Sequence, residues 1–508
     1  MHPRAIAEKH PDQPAVIMGD GGGTITFAEL DRRSNQVAHL FRECGLGHGD
    51  SVAIFAENHP DFLVVTWAAQ RSGLYYTAIN SHLTAPEASY IVENCGASLL
   101  ISTDFLEPIA CDIVSSSLRY RYSLDRLATT VANLPTTPVS DEAEGDFMLY
   151  SSGTTGRPKG TRRPLSLARL GESEAVGLPF LRALGIGDGH IYLNPAPLYH
   201  AAPLSFCMGS HRLGATVVVM ERFDAHRCLE LISLHRVTHA QFVPTMFVRM
   251  LKLPEATRDA IDVSSLQRVV HAAAPCPVEV KRGMIEWWGP IVDEYYSATE
   301  GMGATFIRGE EWLEHPGSVG RAIVGEIHIT DDDGRDLPRG EIGTIWFSKG
   351  YDFTYHGDPA RTEEARDHRG RSTVGDVGYV DEDGYLYLTD RKAFMIISGG
   401  VNIYPQEIED TLIAHPSVFD VAVIGVPNPD LGEEVKAVVQ PAPGVAPSAT
   451  LEAELHSWCE QHLASFKHPR SIDFVAALPR LDTGKLYKAD LRASYWQGSG
   501  EVSEDVGT

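Results

Sequence analysis

Short apolar runs closed off by turn residues alternate with segments of helical period along most of this chain, and that alternation confines it to an α/β fold on a mainly parallel sheet. Residues 51–55 read as a buried strand, residues 61–71 as a helix, and the chain returns to a strand near Tyr75. Residues 214–220 repeat the strand pattern later. Upstream, residues 15–18 and 24–26 flank a glycine-rich turn and predict a hairpin, and Thr26 with Glu29 has the capping-box spacing of a helix reaching Cys44. Asp331-Asp332-Asp333-Gly334 and Asp381-Glu382-Asp383-Gly384 predict hairpin turns in a β-rich part. Beyond it Pro405 opens a helix with Ile408 and Leu412 at i, i+4 spacing, strand-like residues 421–424 and 435–439 follow, and a second helix covers residues 451–463. These pieces make a small α+β unit of about 115 residues, an ordinary domain size.

At 508 residues the chain exceeds what one hydrophobic core serves, so at least two domains are expected. Its 43 Lys and Arg residues against 68 Asp and Glu give a net charge of −25 with no dense basic run, which argues against a nucleic-acid partner. The seven cysteines (Cys44, Cys95, Cys111, Cys207, Cys228, Cys276 and Cys459) are scattered without a CxxC pair, a usage that fits a reducing compartment and argues against structural disulfides and a zinc site. His235 and His239 have i, i+4 spacing, but Arg236 stands where a zinc-protease helix carries Glu, so both read as structural. Gly45, Gly47 and Gly49 read as a turn and not as a dinucleotide site. The first residues lead into polar sequence, no apolar run approaches the roughly 20 residues of a spanning helix, and the last residues carry neither a peroxisomal tripeptide nor a prenylation box. A cytoplasmic protein without a transmembrane segment is expected, loose attachment to a membrane that supplies a lipid substrate stays open, and a homodimer is compatible with the sequence.

The chemistry is announced by Tyr150-Ser151-Ser152-Gly153-Thr154-Thr155-Gly156-Arg157-Pro158-Lys159-Gly160. Glycines let the backbone turn its N–H groups toward phosphate oxygens, the hydroxyls add short donors, and Lys159 supplies a mobile point charge. The stretch therefore suits a triphosphate. It is not a Walker A loop, because no Gly-Lys in it is followed by Ser or Thr and its glycines are differently spaced.

This loop resembles the phosphate-binding signature of the adenylate-forming superfamily, which holds acyl-CoA synthetases, the adenylation domains of nonribosomal synthetases and firefly-type luciferases. Further segments stand in that family's order: Tyr296-Ser297-Ala298-Thr299-Glu300-Gly301, Gly375-Asp376-Val377-Gly378, Asp390-Arg391, Ser398-Gly399-Gly400-Val401-Asn402-Ile403-Tyr404-Pro405 and Thr483-Gly484-Lys485. The similarity covers nearly the whole chain. It implies a large N-terminal adenylation domain over residues 1–390, made of two α/β lobes plus the β-rich part, a hinge at 391–394, and a small mobile α+β lid over 395–508.

The resemblance further implies ATP, Mg2+ and CoA as ligands and assigns roles. Ser151, Ser152, Gly153, Thr154, Thr155, Gly156 and Lys159 would hold the nucleotide's phosphates, with Thr155 and Lys159 as candidates for the β- and γ-phosphates. Thr299 sits where the family places a hydroxyl on the α-phosphate, and Glu300 where it places a magnesium ligand. Asp376 resembles the carboxylate that accepts from both ribose hydroxyls, Arg391 a second nucleotide contact, and Tyr296 belongs with them. Ala273, Ala274 and Pro275 align with the segment whose backbone lies against adenine; at the nearby His271 position the family's commonest residue is Gly. Lys485 is the choice for a catalytic lysine that bridges the acid's carboxylate and the α-phosphate as negative charge accumulates. Since Lys485 and the phosphate loop fall in different domains, catalysis requires domain closure. Gly399 and Gly400 would line a pantetheine tunnel once the lid has rotated.

His200 matches a position that gates the acyl carboxylate, and Gln241-Phe242-Val243-Pro244-Thr245 resembles the Val-Pro-Thr segment of acyl-CoA synthetases. Three positions depart from the family pattern: Phe394 at the hinge, where Asp or Lys is usual, and Ser297 and Val374, where Gly and Thr are more usual. A carboxylate is a poor acylating agent until it is joined to AMP, so the expected activity is an ATP-dependent carboxylic acid:CoA ligase. Its acid is expected to be hydrophobic, a medium- or long-chain fatty acid or a bulky cyclic one such as a steroid side-chain acid. An acyl-AMP ligase feeding a separate carrier protein, a luciferase-like oxygenase and a non-catalytic nucleotide-binding protein stay open on the sequence alone.

Overall fold

The computed structural model describes residues 2–151, 158–172, 175, 177–391, 394–399, 401–480, 486 and 488–497. Two parallel sheets carry the first part of the chain. The smaller runs in the order Tyr120–Ser123, Ala97–Ser102, Ser51–Phe55, Tyr75–Ile79, Asp146–Phe147, all parallel. Its central strands are buried along their whole length, as βαβ strands covered on both faces should be. The larger sheet has a parallel centre ordered Pro14–Met18, Thr216–Val219, Ile191–Asn194, His239–Phe242, Arg268–His271, Val292–Ser297.

The expected N-terminal hairpin forms, with Ile17 opposite Thr24, but it sits on the edge of the larger sheet, where Val16 pairs with Val217. The β-rich part is joined to the larger sheet through hydrogen-bonded strands. The strand Ala304–Ile307 returns antiparallel on Val292–Ser297, as a short connection dictates, and carries Ser318–Val324, Leu386–Arg391, Asp376–Val380, Gly343–Ser348 and Glu326–Thr330 as a continuation of the same sheet.

The helix Phe27–Glu43 starts at the predicted capping box: Glu29 N–H donates to Thr26 Oγ1 at 3.2 Å and Thr26 N–H to Glu29 Oε2 at 2.9 Å. His235 ends the helix Ala225–His235 and Arg236 turns at φ +50°, so His239 falls in the next strand, where its Nε2 bonds Leu184 O at 3.0 Å. The helical i, i+4 spacing of the two histidines is therefore not realised. Arg212, on the helix Ala201–Leu213, meets Glu144 through two bonds of 3.1 and 2.8 Å, and Gln70 donates to the same carboxylate at 2.6 Å. This buried pair ties the two lobes together, and removing either partner would strand a charge at a cost of about 3–5 kcal/mol.

Past residue 395 a separate sheet packs Val418–Asn428 against Gly432–Pro441, with the helices Pro405–Ile413 and Ala449–His462 closing a core of Ile408, Leu412, Val423, Val435 and Leu455. Lys252 reaches across to this sheet, its Nζ donating to Val418 O at 2.6 Å and Phe419 O at 3.1 Å. Among the described residues no helix is long and apolar enough to cross a membrane.

Candidate active site

The strands Leu149–Ser151 and Lys159–Arg162 pair antiparallel with Ser151 opposite Lys159, which fixes both ends of the glycine-rich stretch. A β-carbon on Gly160 would come within 2.6 Å of Met148 Cε and 2.8 Å of Tyr150 Cζ, so a larger residue there would have to push both side chains aside. Thr354–Tyr355 adds a third strand, with Tyr355 opposite Thr161. That placement aims the Tyr355 hydroxyl at Glu300 Oε1, to which it donates at 2.8 Å, and leaves Lys159 Nζ 5.1 Å from the ring centroid. Glu300 is 7% exposed, and no Lys, Arg or His among the described residues pairs with it. A buried carboxylate oriented by a phenol and unmatched by a protein cation has the donor chemistry of a hard divalent metal ligand. Thr299 and Glu300 occupy a turn closed by Gly301 N–H on Ala298 O at 2.9 Å.

That turn ends the strand Val292–Ser297. From the strand Tyr296 donates its hydroxyl to Asp376 Oδ2 at 2.7 Å, and Asp376, itself buried, lies in register with Arg391 on the neighbouring strand. Two candidate nucleotide contacts fifteen residues apart in sequence are thereby neighbours across one ladder. Ser297 donates to Gly303 O at 2.9 Å, and Val374 lines the cavity beside Asp376.

Ala273 follows the strand Arg268–His271 at φ +75°, a conformation that disfavours any β-carbon. The segment is held from beneath by buried charges. Lys281 Nζ donates to Glu294 Oε2 at 2.7 Å, and His271 Nε2 stands 3.3 Å from the same oxygen without hydrogen-bond geometry. Burial, helped by the Lys281 charge, drives the His271 pKa far below its ordinary value, so the ring is neutral. Burial pushes the Glu294 carboxyl upward while Lys281 draws it down. His271 thus supports the alanine segment as part of the core.

A cavity of about 960 Å³ is lined by Lys159, His200, Ala273, Thr299, Glu300 and Asp376. Ala274, Pro275 and Tyr296 join them. His200 stands just before the helix Ala201–Leu213, its ring 4.4 Å from that of Tyr199. Phe394, Glu409 and Lys488 contribute from the C-terminal part. Lys488 Nζ pairs with Glu409 Oε1 at 2.8 Å and lies 5.8 Å from the Phe394 ring, so Phe394 packs under a charged pair. Gly399 does not line the cavity; it turns at φ +56° with its N–H on Leu431 O at 2.8 Å. Ser152, Gly153, Thr154, Thr155, Gly156, Gly400 and Lys485 lie outside the described residues, and of Ser151 and Arg391 only the backbone is described.

Two groups escaped the sequence reading. Tyr355 stands in a run without helical or strand period, and nothing local marks it. Lys281 left a signal, a lone charge at the i+3 position of the apolar stripe Val278, Ile285, Trp288 on the helix Val278–Trp288.

Comparison with known proteins adds three findings. Residues 4–352 match the family model described as AMP-binding enzyme, and residues 407–485 the one described as AMP-binding enzyme C-terminal domain. A feruloyl-CoA synthase of Amycolatopsis sp is 33% identical over 504 residues, 97% of each chain, and a fatty acid–[acyl-carrier-protein] ligase of Streptomyces coeruleorubidus is 31% identical over 512 residues, 97% of this chain and 95% of its own. The crystal structure of ATP-bound MatB from Rhodopseudomonas palustris is similar with a TM-score of 0.81 at 28% identity, covering 97% of this chain and 99% of its own.

Proposed function

Because the chain belongs to the AMP-binding enzyme family, as an AMP-forming acid–thiol ligase, we propose that it activates a hydrophobic carboxylic acid, fatty or bulky cyclic, as an acyl-adenylate and passes the acyl group to coenzyme A. The observation that carries this reading is the convergence of Lys159, the phenol-oriented Glu300, Asp376 and the strained Ala273 segment on one cavity. Phosphates lie toward Lys159 and the glycine-rich stretch, with the Thr299 hydroxyl donating to the α-phosphate. Asp376, already holding the Tyr296 hydroxyl, accepts from the ribose, with Arg391 beside it. The backbone of Ala273, Ala274 and Pro275 faces the adenine.

Glu300 would hold Mg2+, which when bound neutralises phosphate charge. A carboxylate oxygen of the acid attacks the α-phosphorus, the bond to the bridging oxygen breaks, and pyrophosphate leaves. Lys485 offsets the charge that builds up in this step. In the second half-reaction the thiolate of coenzyme A attacks the acyl carbon and AMP departs. The domain division at 391–394 lets the lid, residues 395–508, bring Lys485 in for the first step and Gly399 and Gly400 for the second. His200 gates the acid's carboxylate.

The likeness to a fatty acid–[acyl-carrier-protein] ligase favours a second reading, in which a carrier thiol replaces coenzyme A. Pyrophosphate release with Mg-ATP is measured across fatty, aromatic and steroid acids, with and without coenzyme A, and products are identified by mass spectrometry. Acyl-CoA from one class is the expected result. Adenylate that never yields a thioester with coenzyme A would contradict the first reading in favour of the second.

A further inference from the structure

Successive residues of the strand Val292–Ser297 face opposite sides, so while Tyr296 reaches Asp376, Tyr295 turns into a cluster of rings. The Tyr295 ring stands 5.5 Å edge-on from Phe180 and 6.2 Å stacked on Phe206, and Phe306 meets Phe180 at 5.3 Å. All four line the cavity. Within this apolar wall lies Gln241, 6% exposed, whose amide donates to the Tyr295 hydroxyl at 2.9 Å. The Tyr295 O–H itself finds no acceptor among the described residues. Stacked 5.8 Å behind Phe206, Tyr192 is 1% exposed and its hydroxyl also lacks a partner among the described residues. Burial raises both phenols, so each keeps its proton and remains a donor.

Of these groups the Gln241 amide and the Tyr295 hydroxyl line the cavity, and both are out of place in a pocket for a saturated chain, because a methylene chain leaves such donors unmet. A planar ring, by contrast, packs edge-on or offset against phenyl and phenol faces at these spacings, and an oxygen on it supplies the acceptor that Tyr295 lacks. We infer that the site selects an aromatic acid carrying a hydrogen-bonding oxygen on its ring over an unbranched saturated acid, with Tyr295 and Gln241 as the residues that determine this specificity. The inference rests on the acid:CoA ligase reading above.

The test compares kcat/KM for acyl-CoA formation from hydrocinnamate, its meta- and para-hydroxy derivatives and nonanoate, in the wild type, Tyr295→Phe and Gln241→Leu. At least one hydroxylated acid should exceed hydrocinnamate and nonanoate by about tenfold or more, and Tyr295→Phe should shrink that ratio to about threefold or less. Gln241→Leu should shrink it in the same direction. Because the ratio compares substrates on one preparation, loss of folded enzyme does not move it. Nonanoate as the best substrate, or a ratio that both variants leave unchanged, overturns the inference and leaves the ligase reading standing. Neither acyl-CoA nor pyrophosphate from any of these acids, nor from the wider panel of fatty and steroid acids, overturns both.

Discussion

Tyr355 donates its hydroxyl to Oε1 of Glu300 at 2.8 Å and presents its ring to the Lys159 ammonium, 5.1 Å from the centroid. One phenol therefore sets the spacing between Lys159 and the buried carboxylate, although the three residues come from separate parts of the chain. Its own position is fixed by pairing with Thr161 and by its N–H on Thr362 Oγ1 at 3.0 Å.

Tyr355→Phe keeps the ring and removes the hydroxyl that orients Glu300. Adenylation should fall by about tenfold to a hundredfold, with a weaker apparent affinity for magnesium, as for other groups that orient a metal ligand. Pyrophosphate release titrated against Mg2+ reads both effects, and an unchanged magnesium dependence would count against Glu300 as the ligand.

Ala273 holds φ +75°, where its β-carbon is disfavoured. Ala273→Gly should raise stability by up to about 1 kcal/mol, and Ala273→Val should lower it by about 1–2 kcal/mol while raising KM for ATP. Urea denaturation and ATP kinetics measure these, and a destabilised glycine variant would contradict the strain argument.

Much of the frame is legible in the sequence because its signals are local. The box at Thr26 and Glu29, the turns at 331–334 and 381–384 and the helix opening at Pro405 all follow from residues a few positions apart, and each is found. Partner choice is not local. Nothing near Val16 marks Val217 as its neighbour, since alternation fixes which face a side chain takes and not which strand lies beside it. The candidate site divides the same way. Lys159, Glu300 and Asp376 stand out by their motifs, whereas Tyr355 and the Gln241–Tyr295 pair acquire meaning only when distant strands meet.

His211 is wholly buried, accepting from Trp67 Nε1 on Nδ1 at 3.1 Å, with Nε2 2.9 Å from Ala15 O. Those partners require the neutral ring protonated on Nε2, and burial lowers its pKa from 6.5 to about 4. The folded state then binds fewer protons than the unfolded one between those values, so the stability His211 confers is complete above pH 6.5 and is lost as pH falls toward 4, by about 1.4 kcal/mol per unit. His211→Gln can make both bonds without titrating. Urea unfolding at several pH values across that window should give it a slope shallower by about that amount, and equal slopes would refute the assignment.

On the role proposed for Lys485, in which its charge is needed as pyrophosphate departs, Lys485→Ala should slow adenylate formation by about a hundredfold or more while leaving thioester formation from supplied acyl-adenylate largely intact. Single-turnover assays of each half-reaction separate the two. Equal losses in both would remove Lys485 from the first step.

The central claim is that a carboxylate oxygen of the acid becomes bonded to the α-phosphorus of ATP. The acid is labelled with heavy oxygen in both carboxylate positions, turned over with Mg-ATP and coenzyme A, and the nucleotide is examined by mass spectrometry. Transfer of one labelled oxygen to AMP is the result predicted here; unlabelled AMP, or ADP with label in inorganic phosphate, would contradict the account.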